Sequence, residues 1–311
     1  MKLTIAIALL QVSFVACSSD NTSGVSRTSE SVDIAAHAET VKTWRVDRLA
    51  RLKAPGGYLN LAGLFWLPDG KSSFGADSAN DFIFPGSAAR IGEFEPANGG
   101  IQMTVENGVD VRIDDRRVES VFMPDDLSDQ LVTATFESLS WTVINRDGKL
   151  AVRLRDLEHP ALVAFPPIPY FNVEYDWRVT ATLRRYEEPK IMNVNTVIEG
   201  LGWNPISPGI VEFDYGGERF TLEAYESGER LFFVFGDATS GGETYPAGRF
   251  LYAEMPGEDG RTILDFNLSY NPPCAFNDFS TCPVASPRNR LRIAVEAGEK
   301  FESTLHVGAQ L

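Results

Sequence analysis

The chain has 311 residues with 28 basic and 43 acidic side chains, a formal charge of -15, and 43% hydrophobic residues that include 20 Phe, 9 Tyr and 5 Trp. This apolar content excludes wholesale disorder and is enough for a large core in one or two domains. The negative charge repels polyanions at long range, so nucleic acid is not expected as a partner.

Met1 to Ala16 carries one basic residue, Lys2, then an apolar run that ends Phe14-Val15-Ala16 before Cys17. The run is too short to span a bilayer and has the form of a secretory signal over residues 1–16. Small residues before a cysteine make it resemble a bacterial lipoprotein signal, in which the cysteine is lipidated and becomes the new N-terminus. Phe14 stands where leucine is usual, which leaves ordinary cleavage as an alternative. The resemblance implies that a lipid on Cys17 is the membrane attachment. Ser18 follows where the inner-membrane retention signal has Asp, so the expected place is the cell envelope, on the periplasmic side of the outer membrane or at the cell surface. Residues 17–32 are rich in Ser and Thr and read as a flexible tether.

Residues 33–53 lack Gly and Pro and set Ile34, Ala38, Val41, Leu49 and Leu52 at helical spacing, with Ala54-Pro55-Gly56-Gly57 as the stop. Arg45 and Arg48 interrupt that face. They either reach past a core edge to carboxylates or mark where the helix leaves the body. From Tyr58 onward short apolar or alternating runs, bounded by Gly, Pro, Asp and Asn, read as strands of a lobe over residues 55–160. Asp147-Gly148 is a hairpin turn, because glycine tolerates the positive φ of a tight turn. Within this lobe Phe74 to Phe84 (FGADSANDFIF) resembles the early strands of a forkhead-associated domain. Ala76 replaces the phosphate-reading arginine and no Ser-x-x-His follows, so phosphopeptide binding is not implied.

The proline run from Pro160 to Pro169 is the lobe boundary, since proline removes donors and blocks continued pairing. Residues 170–311 then read as an antiparallel meander. Leu231 to Phe235 (LFFVF) is continuously apolar and should be buried on both faces, while Phe220, Leu222 and Ala224 alternate with Thr221, Glu223 and Tyr225. A nearly closed barrel explains both patterns. The expected fold is mainly β: an N-terminal helix, a smaller sandwich-like lobe and a larger antiparallel barrel-like lobe.

No phosphate loop, dinucleotide fingerprint, His-Glu-x-x-His, Cys-x-x-Cys, EF-hand or nucleophile-elbow motif occurs, and no cofactor or metal site is expected. The three histidines, His37, His159 and His306, lie in a helix, a proline loop and a terminal strand, and read as structural or surface residues. Chemistry is left to two loops. Residues 236–245 carry Asp237, Thr239, Glu243 and Tyr245, and either cradle a ligand or turn a corner. Asp265 and Asn267 share a strand face, with Tyr270 and Asn271 where the chain leaves the sheet. Asp265 with Asp237 or Glu243 would make a carboxylate pair for acid/base work, while Asn267, Tyr270, Asn271, Thr239 and Tyr245 would contact a ligand. The competing reading makes these groups backbone caps. Cys274 and Cys282 are close enough in sequence for a disulfide, which would pin the second loop as a rim.

Trp44-Arg45 with Arg48-Leu49, YLNLAGLFWL (58–67), FFVFGDATSGGETYPAGRFLY (232–252) and residues 265–300 resemble the bacterial family called domain of unknown function 1684, over about residues 40 to 305. The resemblance implies a shared fold and no established activity. The function expected is that of a lipid-anchored cell-envelope protein binding a small molecule, glycan or partner in a pocket of the C-terminal lobe. The alternatives are a hydrolase using the paired carboxylates and a structural envelope component.

Overall fold

The computed structural model describes residues 23–307, and side chains from residue 33 onward. The signal segment 1–16 and Cys17 lie outside the described residues.

The N-terminal helix runs Ser23–Lys53 and so begins ten residues before the expected start, taking in most of the stretch read as tether. No proline interrupts this segment, and a helix once nucleated propagates at one hydrogen bond per residue. It stops where the Leu52 carbonyl accepts from the N–H groups of Tyr58 and Leu59, at 3.1 and 3.2 Å. Gly57 is required in that turn, since a Cβ there would overlap the Leu52 carbonyl oxygen. Of the two readings of the arginines that interrupt the helix face, Arg48 follows the first and reaches the Glu299 carboxylate. Ile34 is exposed, whereas Val41, Arg48 and Leu52 are buried, so Arg48 belongs to the docking face itself.

The first lobe is a sandwich. A six-stranded sheet is centred on the hairpin Leu139–Arg146 and Lys149–Asp156, with Leu61–Trp66 on its edge. It packs on a five-stranded sheet built around Ser72–Gly75, Gly92–Ala97 and Gly100–Val105. Phe74, Phe84, Phe94 and Trp141 fill the space between, with Phe74 and Phe94 stacked at 3.9 Å between centroids. Asp147 and Gly148 both take positive φ (53° and 78°), the geometry of the two-residue hairpin turn read from the sequence.

The second lobe is a nearly closed six-stranded antiparallel sheet ordered Arg249–Glu254, Arg230–Phe235, Glu218–Ser227, Ile206–Tyr215, Arg178–Ile191, Arg261–Asp265. Leu231, Phe233 and Phe235 point into the barrel with Phe213, Leu222 and Leu264. Phe232 and Val234 point outward, under Cys274, Cys282 and Phe250. The continuous apolar strand is thus buried on both faces because the loop after residue 270 folds over its outside. Leu52, Leu59, Phe165, Ile168 and Phe276 form a fourth apolar cluster, where the helix end, the proline linker and that loop meet.

Candidate functional site

The loop after the last strand is held by its own polar groups. Asp265 Oδ1 accepts the Asn267 backbone N–H at 3.1 Å and its side-chain amide at 3.0 Å, and Asn267 also exchanges hydrogen bonds with the backbone of Glu174. The Asn271 amide donates to the Lys300 carbonyl, and its backbone N–H donates to Glu299 at 2.7 Å. Asn267 and Asn271 therefore brace the chain. The Asn267 amide is spent on Asp265 and the Glu174 backbone and the Asn271 amide nitrogen on Lys300, while Asn271 Oδ1 is buried without a partner among the described residues.

Asp265 Oδ2 meets His37 Nε2 on the helix at 2.6 Å. His37, Val41, Trp44 and Arg48 occupy one helical stripe laid on this lobe. Arg48 donates to Glu299 Oε1 at 3.0 Å and to the Asn271 carbonyl at 2.9 Å, and its guanidinium lies 4.5 Å from the Tyr270 ring centre. Burial, and next the neighbouring Tyr252 phenol, raise Tyr270 above the ordinary tyrosine range, so its phenol stays neutral.

The loop 236–245 is a closed unit. Asp237 is buried against Arg249 at 2.9 Å, and its other oxygen accepts the Thr239 N–H and hydroxyl at 2.8 and 2.6 Å. The Thr239 and Thr244 hydroxyls share a 2.8 Å hydrogen bond. Glu243 lies outside, paired with Lys300 at 2.9 Å. Tyr245 donates to the Cys274 carbonyl at 3.1 Å, so the two loops are neighbours. The three carboxylates, however, sit in three separate sets of contacts: Asp265 with His37, Asp237 with Arg249, and Glu243 with Lys300. Among the described residues no group of three or more acidic, His or Cys side chains could hold a metal ion.

The expected Cys274–Cys282 disulfide is corrected by the structure, in which both cysteines are buried free thiols. The Cys282 sulfur accepts the Cys274 backbone N–H at 3.1 Å, and Phe232, Val234 and Phe250 pack around the pair. Packing and this hydrogen bond hold the loop without a covalent bridge. Burial pushes the Cys282 thiol well above its ordinary value. His159 is buried and accepts the Ala161 N–H, and His306 pairs with Asp278, so neither joins His37.

Under the helix, on the outer face of the barrel, lies a cleft of about 740 Å³. Arg48, Arg51, Arg178 and Arg230 line it together with Trp44, Phe232, Phe250, Tyr252 and Tyr270, facing only the carboxylates of Asp265 and Glu254. Arg230 rests 4.2 Å over the Tyr252 ring. Arg51, Arg178 and Arg230 are exposed and make no ion pair among the described residues. Of the residues named from sequence, Asp265 and Tyr270 reach this cleft; Asp237, Thr239 and Glu243 do not. His37 and the arginines were missed as site residues. His37, Trp44, Arg45 and Arg48 do recur at helical spacing, but Arg178 and Arg230 merely begin strands and carry no local signal.

Residues 163–300 match the family described as protein of unknown function (DUF1684), so the second lobe carries that family's domain, with its last strands and the loop after them inside the match. A solution NMR structure of an uncharacterized protein from Haloarcula marismortui is 33% identical, covering 44% of this chain and 77% of that one, with a TM-score of 0.37. No curated protein matches.

Proposed function

We propose that the protein is a lipid-anchored cell-envelope protein that binds a small organic anion in the cleft under its N-terminal helix. One observation carries the reading: in a chain of net charge -15, four arginines converge on one aromatic-walled cleft. Guanidiniums recognise carboxylate and phosphate oxygens through a planar fork, and ring faces give a flat ligand body a place to stack. A cleft of this size is in the range of small-molecule sites. The anchor part rests on Cys17 and its preceding apolar run. A hydrolase built on paired carboxylates has less support, because Asp265, Asp237 and Glu243 each meet a different partner, His37, Arg249 and Lys300.

The test is calorimetric titration of the full mature protein in detergent with benzoate, a sugar acid and the corresponding neutral sugar. The acids are expected to bind and the neutral sugar not. The double substitution Arg178→Ala, Arg230→Ala should weaken acid binding by about tenfold or more. Equal binding of the neutral sugar, or acid binding untouched by the double substitution, would sink the proposal. Replacement of Cys17 by Ser should release the protein from membranes.

A further inference from the structure

A second cavity, of about 620 Å³, lies between the two lobes. It shares Tyr58, Phe250 and Pro273 with the cleft under the helix, so the two are separated only by that wall. Its floor on the first lobe is the outer face of the strand Lys149–Asp156. Val152 and Leu154 of that strand enter the sandwich core, so by the alternation of a strand Arg153 points the opposite way, toward the second lobe.

Arg153 is a cation without a counter-charge. Its Nε is sealed from solvent with no hydrogen-bond partner, and the guanidinium makes no ion pair among the described residues. The nearby acids are otherwise occupied. Asp126 grips Arg146 with both oxygens, at 2.9 and 2.8 Å, and also accepts the Asn145 backbone N–H. Asp125 accepts from Leu127 and from the Asn145 amide. Asp147, in the exposed hairpin turn, is the remaining carboxylate on the lining. Burial, and then the Arg146 charge, pull the Arg153 guanidinium down to about 10, which leaves it charged at neutral pH. Arg153 is half-buried with its Nε sealed, and a charge that loses hydration in this way is ordinarily compensated by a partner.

Around this cation are donors that the protein's own side chains do not engage and that are open to solvent. The Tyr58 hydroxyl, the Asn204 amide and the Thr281 hydroxyl line the cavity and make no side-chain hydrogen bond among the described residues. They come from different segments of both lobes, which suits an acceptor with oxygens facing several ways. Trp203 and Phe250 add flat apolar walls, and the volume exceeds what a bare oxyanion fills.

We infer that this inter-lobe cavity is a second ligand site, taking a phosphate-type oxyanion on a small organic body, with Arg153 as its main counter-charge. The oxyanion supplies the partner that the chain itself withholds, and it joins the lobes by drawing donors from both. The two sites share the Tyr58, Phe250 and Pro273 wall, but Arg153, Trp203, Asn204 and Thr281 belong to this cavity alone, so it survives the failure of the cleft proposal.

The experiment uses the full mature protein in detergent, with sodium phosphate, phenyl phosphate and phenol as probes and sodium chloride at equal ionic strength as reference. Phenyl phosphate should raise the melting temperature of the wild type and of the Arg178→Ala, Arg230→Ala protein, and phenol should not. Arg153→Met should abolish that rise and weaken phenyl phosphate binding by about tenfold or more. Without ligand, Arg153→Met should melt at or above the wild type, since it removes an uncompensated half-buried charge. Arg153→Lys, which keeps charge and stem but loses the fork, should fold as the wild type and bind more weakly. Tighter binding of phenyl phosphate than of inorganic phosphate assigns the organic body to the Trp203 wall; equal binding limits recognition to the oxyanion, and both support the site. A rise no larger than that with chloride, or unchanged phenyl phosphate affinity in Arg153→Met or Arg153→Lys, overturns it.

Discussion

Arg249 and Arg153 are long cations, one in each lobe, the first closed to solvent and the second half-buried, and they differ in whether a carboxylate answers them. Arg249, closed to solvent beneath the loop 236–245, meets Asp237 at 2.9 Å and the Val295 carbonyl at 2.8 Å, and donates to the Ala297 carbonyl as well. Arg153 has no such partner. An ion-paired guanidinium ties segments of one lobe together, even though the Nε of Arg249, like that of Arg153, has no hydrogen-bond partner among the described residues. An unpaired one weakens the empty protein and holds its binding capacity in reserve. The loop that looked most like a cradle in the sequence is therefore a structural knot, and the open chemistry lies at the helix and between the lobes.

The sharpest way to break this contrast is Asp237→Ala, which strands Arg249. Removing one partner of a buried pair costs about 3–5 kcal/mol, so urea unfolding should show a loss of that size. A loss comparable to a surface substitution would remove the distinction between the two arginines. Arg48→Met strands Glu299 in the same way, and about 3 kcal/mol is expected. Here the helix should also loosen, read as faster proteolytic cleavage near residue 45 in the variant than in the wild type. Asp265→Asn removes one charge from the His37 contact while keeping an acceptor for Asn267, so about 1 kcal/mol is expected. Intact ligand binding in that variant would assign Asp265 to helix docking rather than to chemistry.

The smallest effect is a pH dependence. Burial holds His159 below its ordinary value, so the unfolded chain takes up a proton near pH 6.5 that the folded chain resists. Stability from this group is fully present above that pH and is lost as pH falls below it. A His159→Gln protein should show a flatter fall in melting temperature between pH 7 and 5 than the wild type.

Much of the fold was legible because it follows from local rules. The period-two alternation at residues 220–225, the doubly apolar LFFVF strand, the Asp147-Gly148 turn and the glycine stop after Lys53 each depend on near neighbours, and each appears as read. The helix start was misplaced because propagation, once nucleated, ignores the modest propensities of Ser and Thr. The site was legible only in part. Asp265 and Tyr270 do line a cleft, yet the partner of Asp265 is His37, 228 residues away. Arg45 and Arg48 were visible as breaks in an apolar stripe, but that Arg48 answers Glu299 depends on how the chain's far end returns across the lobe.

By itself the sequence determined the class of the protein: mainly β, with one leading helix, a break at the proline run and a strongly negative net charge. Hydrophobic periodicity and turn chemistry act within a few residues, so they survive being read one residue at a time. Only the tertiary structure decided which charges are satisfied. Asp237 and Arg249 neutralise each other, Cys274 and Cys282 remain thiols, and Arg153 is left facing a cavity without a counter-ion. Coulombic and hydrogen-bond partners are chosen by distance in space, and the spacing of residues along a chain carries no record of it.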